Sequence, residues 1–551
     1  MTIPAEPADP AEPADPAELA EQEPSDQSPG GQDTLAAETP RPRHPHGVSA
    51  AELAAALGAS APDRDITLYG VTLDSRSARD GDLWCALPGA NAHGADFAAQ
   101  AREQGAVLAL TDEAGRSRCE AAGLPALVVE DPRAATATAA AIVQGRPAER
   151  LRTIGVTGTN GKTSVTTVLT RVLDQLSVPA GVIGTSGTAY RDGSGADHRI
   201  GTVRTTPEAP ELHGILARML EDDVQVASME VSSHALVLHR ADEVVFDVAC
   251  FTNLSQDHLD FHGTMEAYYE AKRTLFTPEH ATHGVVCVDD EWGRRLAHEA
   301  SIPVMTYATL PGVEADHTAR DIRAEGFGST FAVDGPDGPR SLHAALPGRH
   351  YVANTLAAEL LLAAIGLSGP ETTAALGEAG TVPGRMELVT AEPIRGVVDF
   401  SHTAAALEQA LITLRAVPGT RRLIAVMGAG GDRDRSKRPA MGEVAARLAD
   451  VVIVTDDNPR SEDPAEIRRA VLGGMPEDTK AQVHEVDGRR AAIELAASLA
   501  DVSDTILVAG KGAETGQQIG DIVHPFDDRL RLRTALSGTG TKCADDTDGE
   551  R

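Results

Sequence analysis

Lysine is the scarce residue of this chain. Of 49 basic side chains in 551 residues only six are lysines, at 162, 272, 437, 480, 511 and 542. Generic surface charge is therefore carried by arginine, and four of the six lysines fall in segments with the character of site loops: GTNGKT, YYEAKRTLF, GGDRDRSKRP and GKGAE. Lysine is a compact, titratable amine and arginine is neither, so a chain that otherwise avoids it is expected to keep these for their chemistry. Positive charge is short altogether. The net charge of −33 argues against nucleic acid or an anionic membrane surface as a general partner. The five cysteines (85, 119, 250, 287, 543) contain no C-x-x-C pair, which excludes a disulfide framework and a structural zinc site as readings and leaves buried thiols in a reducing cytoplasm. No basic, apolar, cleavable segment opens the sequence and no window approaches a membrane-spanning run, so no membrane association and a cytoplasmic location are expected.

What the sequence has begins at Arg152-Thr-Ile-Gly-Val-Thr-Gly-Thr-Asn-Gly-Lys-Thr-Ser164. An apolar β-branched run feeds a Gly-rich turn and then a helix from Thr163 to about Leu176. Gly158, Thr159, Asn160 and Gly161 let backbone N–H groups converge on phosphate oxygens at the helix's positive end. Lys162 is placed to reach the terminal phosphates, Thr163 to hold Mg²⁺, and Ser164 follows in the same turn. The match to G-x-x-x-x-G-K-[ST] is imperfect, with Val156 where the pattern has Gly.

Length suggests three or so domains. Residues 1–46, with the near-repeat AEPADPAEPADPAEL, are expected to be a disordered acidic extension. Residues 47–150 alternate Ala-rich helices and short apolar strands and form a small α/β domain. Here Ser75 and the loop GANAHGADF have ligand-loop character, though ordinary turn chemistry explains them as well. In 151–380, TVRTTPEAPEL offers Arg204, Thr205 and Thr206 to an anionic substrate, and is equally a helix N-terminus. The strand QVASMEVSS ends at Glu230. Ligands gather at the carboxyl ends of parallel strands, so this carboxylate is placed to supply a second oxygen ligand for Mg²⁺. FTNLSQDHLDFHG clusters Asn253, Asp257, His258 and His262 after an apolar strand, and Lys272 follows on an amphipathic helix. LPGRHYVANTLAAELLLAAIG reads as a loop and a helix covering the sheet. From 381 to 536 strands and helices alternate again, predicting a second doubly wound sheet whose loops cluster at one edge. Residues 537–551 read as a disordered tail.

Taken together, GVTGTNGKT, MEVSSHAL, FTNLSQDHLDFHG, EAKRTLF, VPGRME, GAGGDRDRSKRP, TDDNPRSEDP and GKGAE resemble the Mur ligase family, in family order from about Val48 to about Leu536. The resemblance implies an α/β, three-domain Mur ligase architecture: a UDP-binding domain, a central P-loop-type ATPase sheet and a C-terminal Rossmann-like domain. It also implies an activity in peptidoglycan precursor synthesis. The γ-phosphoryl of ATP passes to a D-Glu carboxylate of UDP-MurNAc-L-Ala-D-Glu, and the amine of a diamino acid attacks the acyl phosphate. By position, Thr163 and Glu230 would hold a first Mg²⁺. His258 and Lys272, the latter matching a family lysine carbamylated by CO₂, would serve a second. Lys162, Lys272 and His258 are thereby the catalytic set. Asn354 and Arg385 match nucleotide contacts. Thr205, Thr206, Ser232 and Arg240 match contacts to the muramyl dipeptide, and Ser75 a contact to the UDP part. Arg433, Asp457, Asn458, Arg460, Gly510 and Glu514 match the amino-acid site, where the DNPR sequence resembles the branch that uses diaminopimelate. Arg460 suits a distal carboxylate and Glu514 a distal ammonium. A monomer is expected.

Three motifs depart from the family pattern. DYAHTPDALE is here Asp399-Phe-Ser-His-Thr-Ala-Ala-Ala-Leu-Glu408, GKGHE is Gly510-Lys-Gly-Ala-Glu514, and Tyr351 stands where Asn is usual. Ala404 and Ala405 are expected to free backbone that Pro would stiffen. Two other readings stay open: a ligase joining an amino acid to another carboxylate acceptor, and a catalytically weak regulatory homologue.

Overall fold

Continuous apolar runs such as Ile-Ala-Val-Met and Val-Val-Ile-Val make strands that bury both faces, and such strands build parallel sheets covered by helices on either side. The computed structural model, which describes residues 40–89, 92–379 and 382–539, has three such sheets.

The first is a four-stranded parallel sheet in the order β1 (Gly70–Thr72), β2 (Asp82–Cys85), β3 (Ala106–Thr111), β4 (Ala126–Val128). Helix α1 (Pro132–Val143), capped by Asp131, packs across towards the second unit.

The second sheet has eleven strands: β5 (Arg152–Thr157), β6 (Ala180–Gly184), β7 (Gly187–Arg191), β8 (Asp197–Ile200), β9 (Val226–Glu230), β10 (Phe246–Phe251), β11 (Ala281–Cys287), β12 (Val304–Ala308), β13 (His317–Glu325), β14 (Gly328–Asp334) and β15 (Arg340–Ala344). Their order is β8-β7-β6-β9-β5-β10-β11-β12-β13-β14-β15, parallel from β6 to β13 and antiparallel at both ends. One face is covered by α2 (Lys162–Gln175) and α5 (Arg349–Ala364), whose Leu169, Leu173, Leu356 and Leu360 pack on Ile154, Val156 and Val248. On the other face, α3 (Ala209–Glu221) and α4 (Met265–Arg273) bring Leu212, Leu216, Tyr268 and Tyr269 onto Phe246 and Phe251. Strand β5 lies between β9 and β10, so the loops after all three converge at one edge.

The third sheet runs β16 (Glu387–Thr390), β17 (Arg395–Asp399), β21 (Thr505–Ala509), β18 (Leu423–Met427), β19 (Val451–Val454), β20 (Gln482–Glu485), with only the β16–β17 pair antiparallel. Two apolar clusters, one per face, make it doubly wound.

Two sequence expectations change here. Residues 40–46 were read as disordered extension, yet Arg41 pairs with Asp82, and Arg43 pairs with Asp222 while its backbone and that of His44 donate to Glu221. These two arginines, the first in the chain, tie the segment to both the first and second units. Residues 1–39 lie outside the described residues. The tail expected from 537 is helical at its start, since a helix spans Asp528–Thr539; 540–551 also lie outside the described residues. Among the described residues no helix is long and apolar enough to cross a membrane.

His213 on α3 is fully buried, and burial lowers its pKa from 6.5 to about 4. The unfolded chain takes up this proton below pH 6.5 and the folded chain only near 4, so stability present at pH 7 is lost as pH falls through that window. Urea unfolding at pH 7 and pH 5 is expected to show a loss of about 2 kcal/mol from this side chain, absent in His213→Gln.

Candidate active site

The turn after β5 is shaped by two glycines. Gly158 (φ +141°) and Gly161 (φ +97°) adopt conformations that other residues resist. A Cβ at Gly158 would also lie 2.0 Å from the Thr252 hydroxyl, and one at Gly161 2.7 Å from the Asn354 side-chain oxygen. The turn is braced from the loop after β10. Thr159 N–H donates to Asn253 O (2.9 Å), Asn160 N–H to Asn253 Oδ1 (3.0 Å), and Asn253 Nδ2 returns a bond to Asn160 O (2.9 Å). Lys162 opens α2 and folds back, its ammonium donating to Gly158 O (2.8 Å) and Thr159 O (3.1 Å).

Beside the turn lies a carboxylate corner. Glu230, 1% exposed at the end of β9, accepts from Thr163 Oγ1 (3.0 Å), Thr185 N–H (3.0 Å) and Thr185 Oγ1 (3.1 Å). Thr206 Oγ1 donates to Glu230 O (2.8 Å) and accepts from Ser232 N–H (3.1 Å), and Thr205 and Thr185 hydroxyls meet at 3.1 Å. Arg240 is ion-paired with Glu208 at 2.8 Å, with Arg133 and Arg204 close by. These sequence-predicted residues thus share one corner. Ser75 stands apart in the first unit, its hydroxyl donating to Gln100 (2.8 Å).

Lys272 is delivered from α4, whose Thr264 N-cap accepts from Ala267 N–H. Its ammonium is completely buried, 3.1 Å from Gly158 O and 3.4 Å from the Thr157 hydroxyl, and 4.7 Å above the Tyr268 ring. Lys162 and Lys272 therefore meet at the same carbonyl. Burial, and then the charge of Lys162, hold the Lys272 pKa well below its ordinary value. His258, in a left-handed conformation (φ +52°), stands next to Asp257 and forms a ring cluster with His234, Tyr268 and, through them, His262. Burial lowers the pKa of His258, and lowers that of His262 to about 3.

The third unit reaches this cleft. Arg385 Nη2 lies 3.5 Å from Thr163 Oγ1, and its guanidinium stacks on Phe400 (4.2 Å). Asn354 is buried against Gly161. His402 and Lys437, outside the sequence-predicted set, both act electrostatically on Asp257, and Lys437 acts also on Asp457. Lysine scarcity already pointed at Lys437, and His402 is the histidine kept in the motif from Asp399 to Glu408. In the amino-acid set, Asn458 Nδ2 donates to Glu514 (3.0 Å), Gly510 (φ +119°) backs onto the Asp457 carboxylate, and Arg460 Nη1 donates to Gly431 O (2.7 Å). Arg433 lies near Gly430.

The departures from the family pattern leave the backbone ordered. Ala404 and Ala405 are not loosened: they form the first turn of a helix, Ala404–Ala416, capped by Thr403. Phe400 supplies the face on which Arg385 rests, and Tyr351 is buried against His350.

Among the described residues no three His, Cys, Asp or Glu side chains converge as a metal cage. The corner instead offers one buried carboxylate and a hydroxyl. That suits Mg²⁺, which keeps several waters and takes much of its coordination from substrate phosphates.

Known proteins resemble this chain. The chain matches the Mur ligase middle domain over residues 156–362, the Mur ligase glutamate ligase domain over 384–512, and the Mur ligase family catalytic domain over 67–144. It is 46% identical over 505 residues to UDP-N-acetylmuramoyl-L-alanyl-D-glutamate--2,6-diaminopimelate ligase of Streptomyces avermitilis, covering 91% of this chain and 98% of that protein. Identity is 44% over 512 residues to the protein of the same description from Corynebacterium efficiens, at 89% and 95% coverage. A solved structure of a ligase so described aligns with a TM-score of 0.65 at 30% identity, over 90% of this chain and 100% of that one.

Proposed function

The chain belongs to the Mur ligase family of ATP-dependent ligases, and from that premise we propose that it adds diaminopimelate to the D-Glu of UDP-MurNAc-L-Ala-D-Glu in peptidoglycan precursor synthesis, in the cytoplasm. The observation that carries this reading is the meeting of Lys162, Lys272, Thr163 and Glu230 around one phosphate turn, with the third unit's Arg385 at its edge.

A carboxylate is a poor acyl donor because its leaving group would be oxide. Phosphorylation replaces that with phosphate, but two polyanions must first be brought together. Lys162 reaches from its carbonyls to the terminal phosphates, and the N–H groups of Gly161, Lys162 and Thr163 at the start of α2 hold the chain behind them. Thr163 and Glu230 would hold one Mg²⁺, and His258 with a carbamate on Lys272 a second; such ions, when bound, neutralise phosphate charge. Lys272 fits that modification because a buried amine with a depressed pKa gives up its proton more readily, the neutral amine is the form that combines with CO₂, and the product offers oxygen ligands that an ammonium cannot. Thr205, Thr206, Ser232 and Arg240 fix the dipeptide next to Glu230. Asn354 and Arg385 hold the nucleotide, and closure of the third unit keeps water from the acyl phosphate while the incoming amine attacks.

The amino acid is held by Arg433, Asp457, Asn458, Arg460, Gly510 and Glu514, with Arg460 on the distal carboxylate. L-Lys has no such group. A panel assay of ADP release with UDP-MurNAc-dipeptide is expected to favour diaminopimelate over L-Lys by at least about 10²-fold in kcat/KM, with Arg460→Gln narrowing the ratio to within about tenfold. No ADP release with any diamino acid, from folded protein with Mg²⁺, would overturn the assignment.

A further inference from the structure

The Lys511 side chain is wholly buried in a chain that places its other cations almost entirely as arginine. It sits between Gly510 (φ +119°) and Gly512 (φ +55°), conformations that turn the loop so that the lysine points inward. Its ammonium donates to Glu514 Oε2 (2.7 Å) and to Asn458 Oδ1 (2.9 Å). Asn458 Oδ1 also accepts from Gln518 N–H (3.0 Å), which fixes the amide the other way round at its far end, so that Nδ2 donates to the same Glu514 Oε2 (3.0 Å). One carboxylate oxygen of Glu514 is thus consumed by two internal donors. The other, on a side chain 23% exposed, is left for a ligand.

The open acceptors give the ligand's character. Asp457, Glu514 and Asp528 are packed with Lys511 and Arg489, Arg489 is bound to Asp528 by two hydrogen bonds, and Lys437 also acts on Asp457. Asp457 Oδ2 is nevertheless buried with no hydrogen-bond partner. The group is short of a hydrogen-bond donor.

Resting on the function proposed above, we infer that Lys511 is a positioning residue for amino-acid specificity: it locks Asn458 and Glu514 so that one carboxylate oxygen is presented to the distal ammonium of the incoming diamino acid. Without that charge the Glu514 pKa, already raised by burial, rises further, and its hold on that ammonium weakens.

Steady-state kinetics of Lys511→Met test this. KM for diaminopimelate should rise about ten- to a hundredfold, with KM for ATP and for the UDP-dipeptide within about twofold of the parent. The loss should be much smaller for the amino acid that keeps the distal carboxylate but lacks the distal ammonium. An equal loss for both amino acids, or for all three substrates, would assign Lys511 to structure and overturn the inference. Should Lys511→Met not fold, Lys511→Met/Glu514→Gln removes both charges together and is compared with Glu514→Gln alone. Equal KM values support action through Glu514, and a further tenfold loss in the double variant refutes it. Parent enzyme active with diaminopimelate but Lys511→Met unchanged sinks this inference alone. A parent that turns over no diamino acid sinks the assigned function as well.

Discussion

Lys272→Ala is expected to lower kcat by about 10²–10³-fold, the cost of removing one preorganised electrostatic group at a phosphoryl-transfer site. The amine lies 3.1 Å from the carbonyl that also receives Lys162, so it stands where phosphate charge must be managed. ADP release in the presence of all three substrates measures the effect, and a variant retaining a tenth of parental kcat would remove Lys272 from the mechanism. Stability should move the other way. The folded-state pKa of Lys272 is depressed, so the unfolded chain binds a proton that the native chain does not, and native stability rises with pH from that depressed value up to 10.5. At pH 7 burying the amine is a cost. Lys272→Met, which keeps the volume without the amine, is therefore expected to unfold in urea no more readily than the parent. If the amine carries a carbamate, parental activity should also fall in CO₂-depleted buffer and return with bicarbonate, and neither variant should respond.

Glu230→Gln is the second large effect. The carboxylate accepts three hydrogen bonds, from Thr163 Oγ1, Thr185 N–H and Thr185 Oγ1. An amide with its oxygen towards Thr185 N–H turns its NH₂ towards two threonine hydroxyls, which must rotate from donating to accepting. Among the described residues, loss of the charge also removes the one buried carboxylate of the corner where Mg²⁺ would sit. The expected result is a fall in kcat of about 10²–10³-fold together with a higher Mg²⁺ concentration at half-maximal rate. Stability should fall by no more than about 1 kcal/mol, since the hydrogen bonds are rearranged and not lost. A Mg²⁺ dependence identical to the parent's would place the ion elsewhere.

The two variants separate parts that the geometry joins. Lys272 meets Lys162 at Gly158 O, where the turn Gly158–Thr163 begins, and Glu230 accepts from Thr163, where it ends. Lys272→Ala should therefore leave the Mg²⁺ requirement set by Glu230 closer to the parent's than Glu230→Gln does.

Much of this was legible in the chain before any coordinates. The strand, glycine turn and helix around Lys162 follow from local sequence, because a β-branched run, two glycines and a following amphipathic stretch each have few alternatives. The alternation of strands and helices implied doubly wound sheets, and the second and third units have them. The antiparallel ends of the eleven-stranded sheet were not anticipated. β8 and β13 carry exposed, charged positions such as Asp197, Arg199 and Glu325, and the pairing at these ends depends on which edge happens to be open to them.

What the sequence by itself determined is the chemistry available: which amines, carboxylates and hydroxyls exist, and which turns present them, since those depend on residue type and near neighbours. Only the tertiary structure decided which of them meet. Lys162 and Lys272 are 110 positions apart in the numbering yet bond one carbonyl, and Lys511 reaches Asn458 across a sheet edge. Such meetings arise from strand order and helix packing summed over the whole core. The depressed pKa of Lys272 comes from that same packing, because burial is a property of the folded chain and of no segment alone.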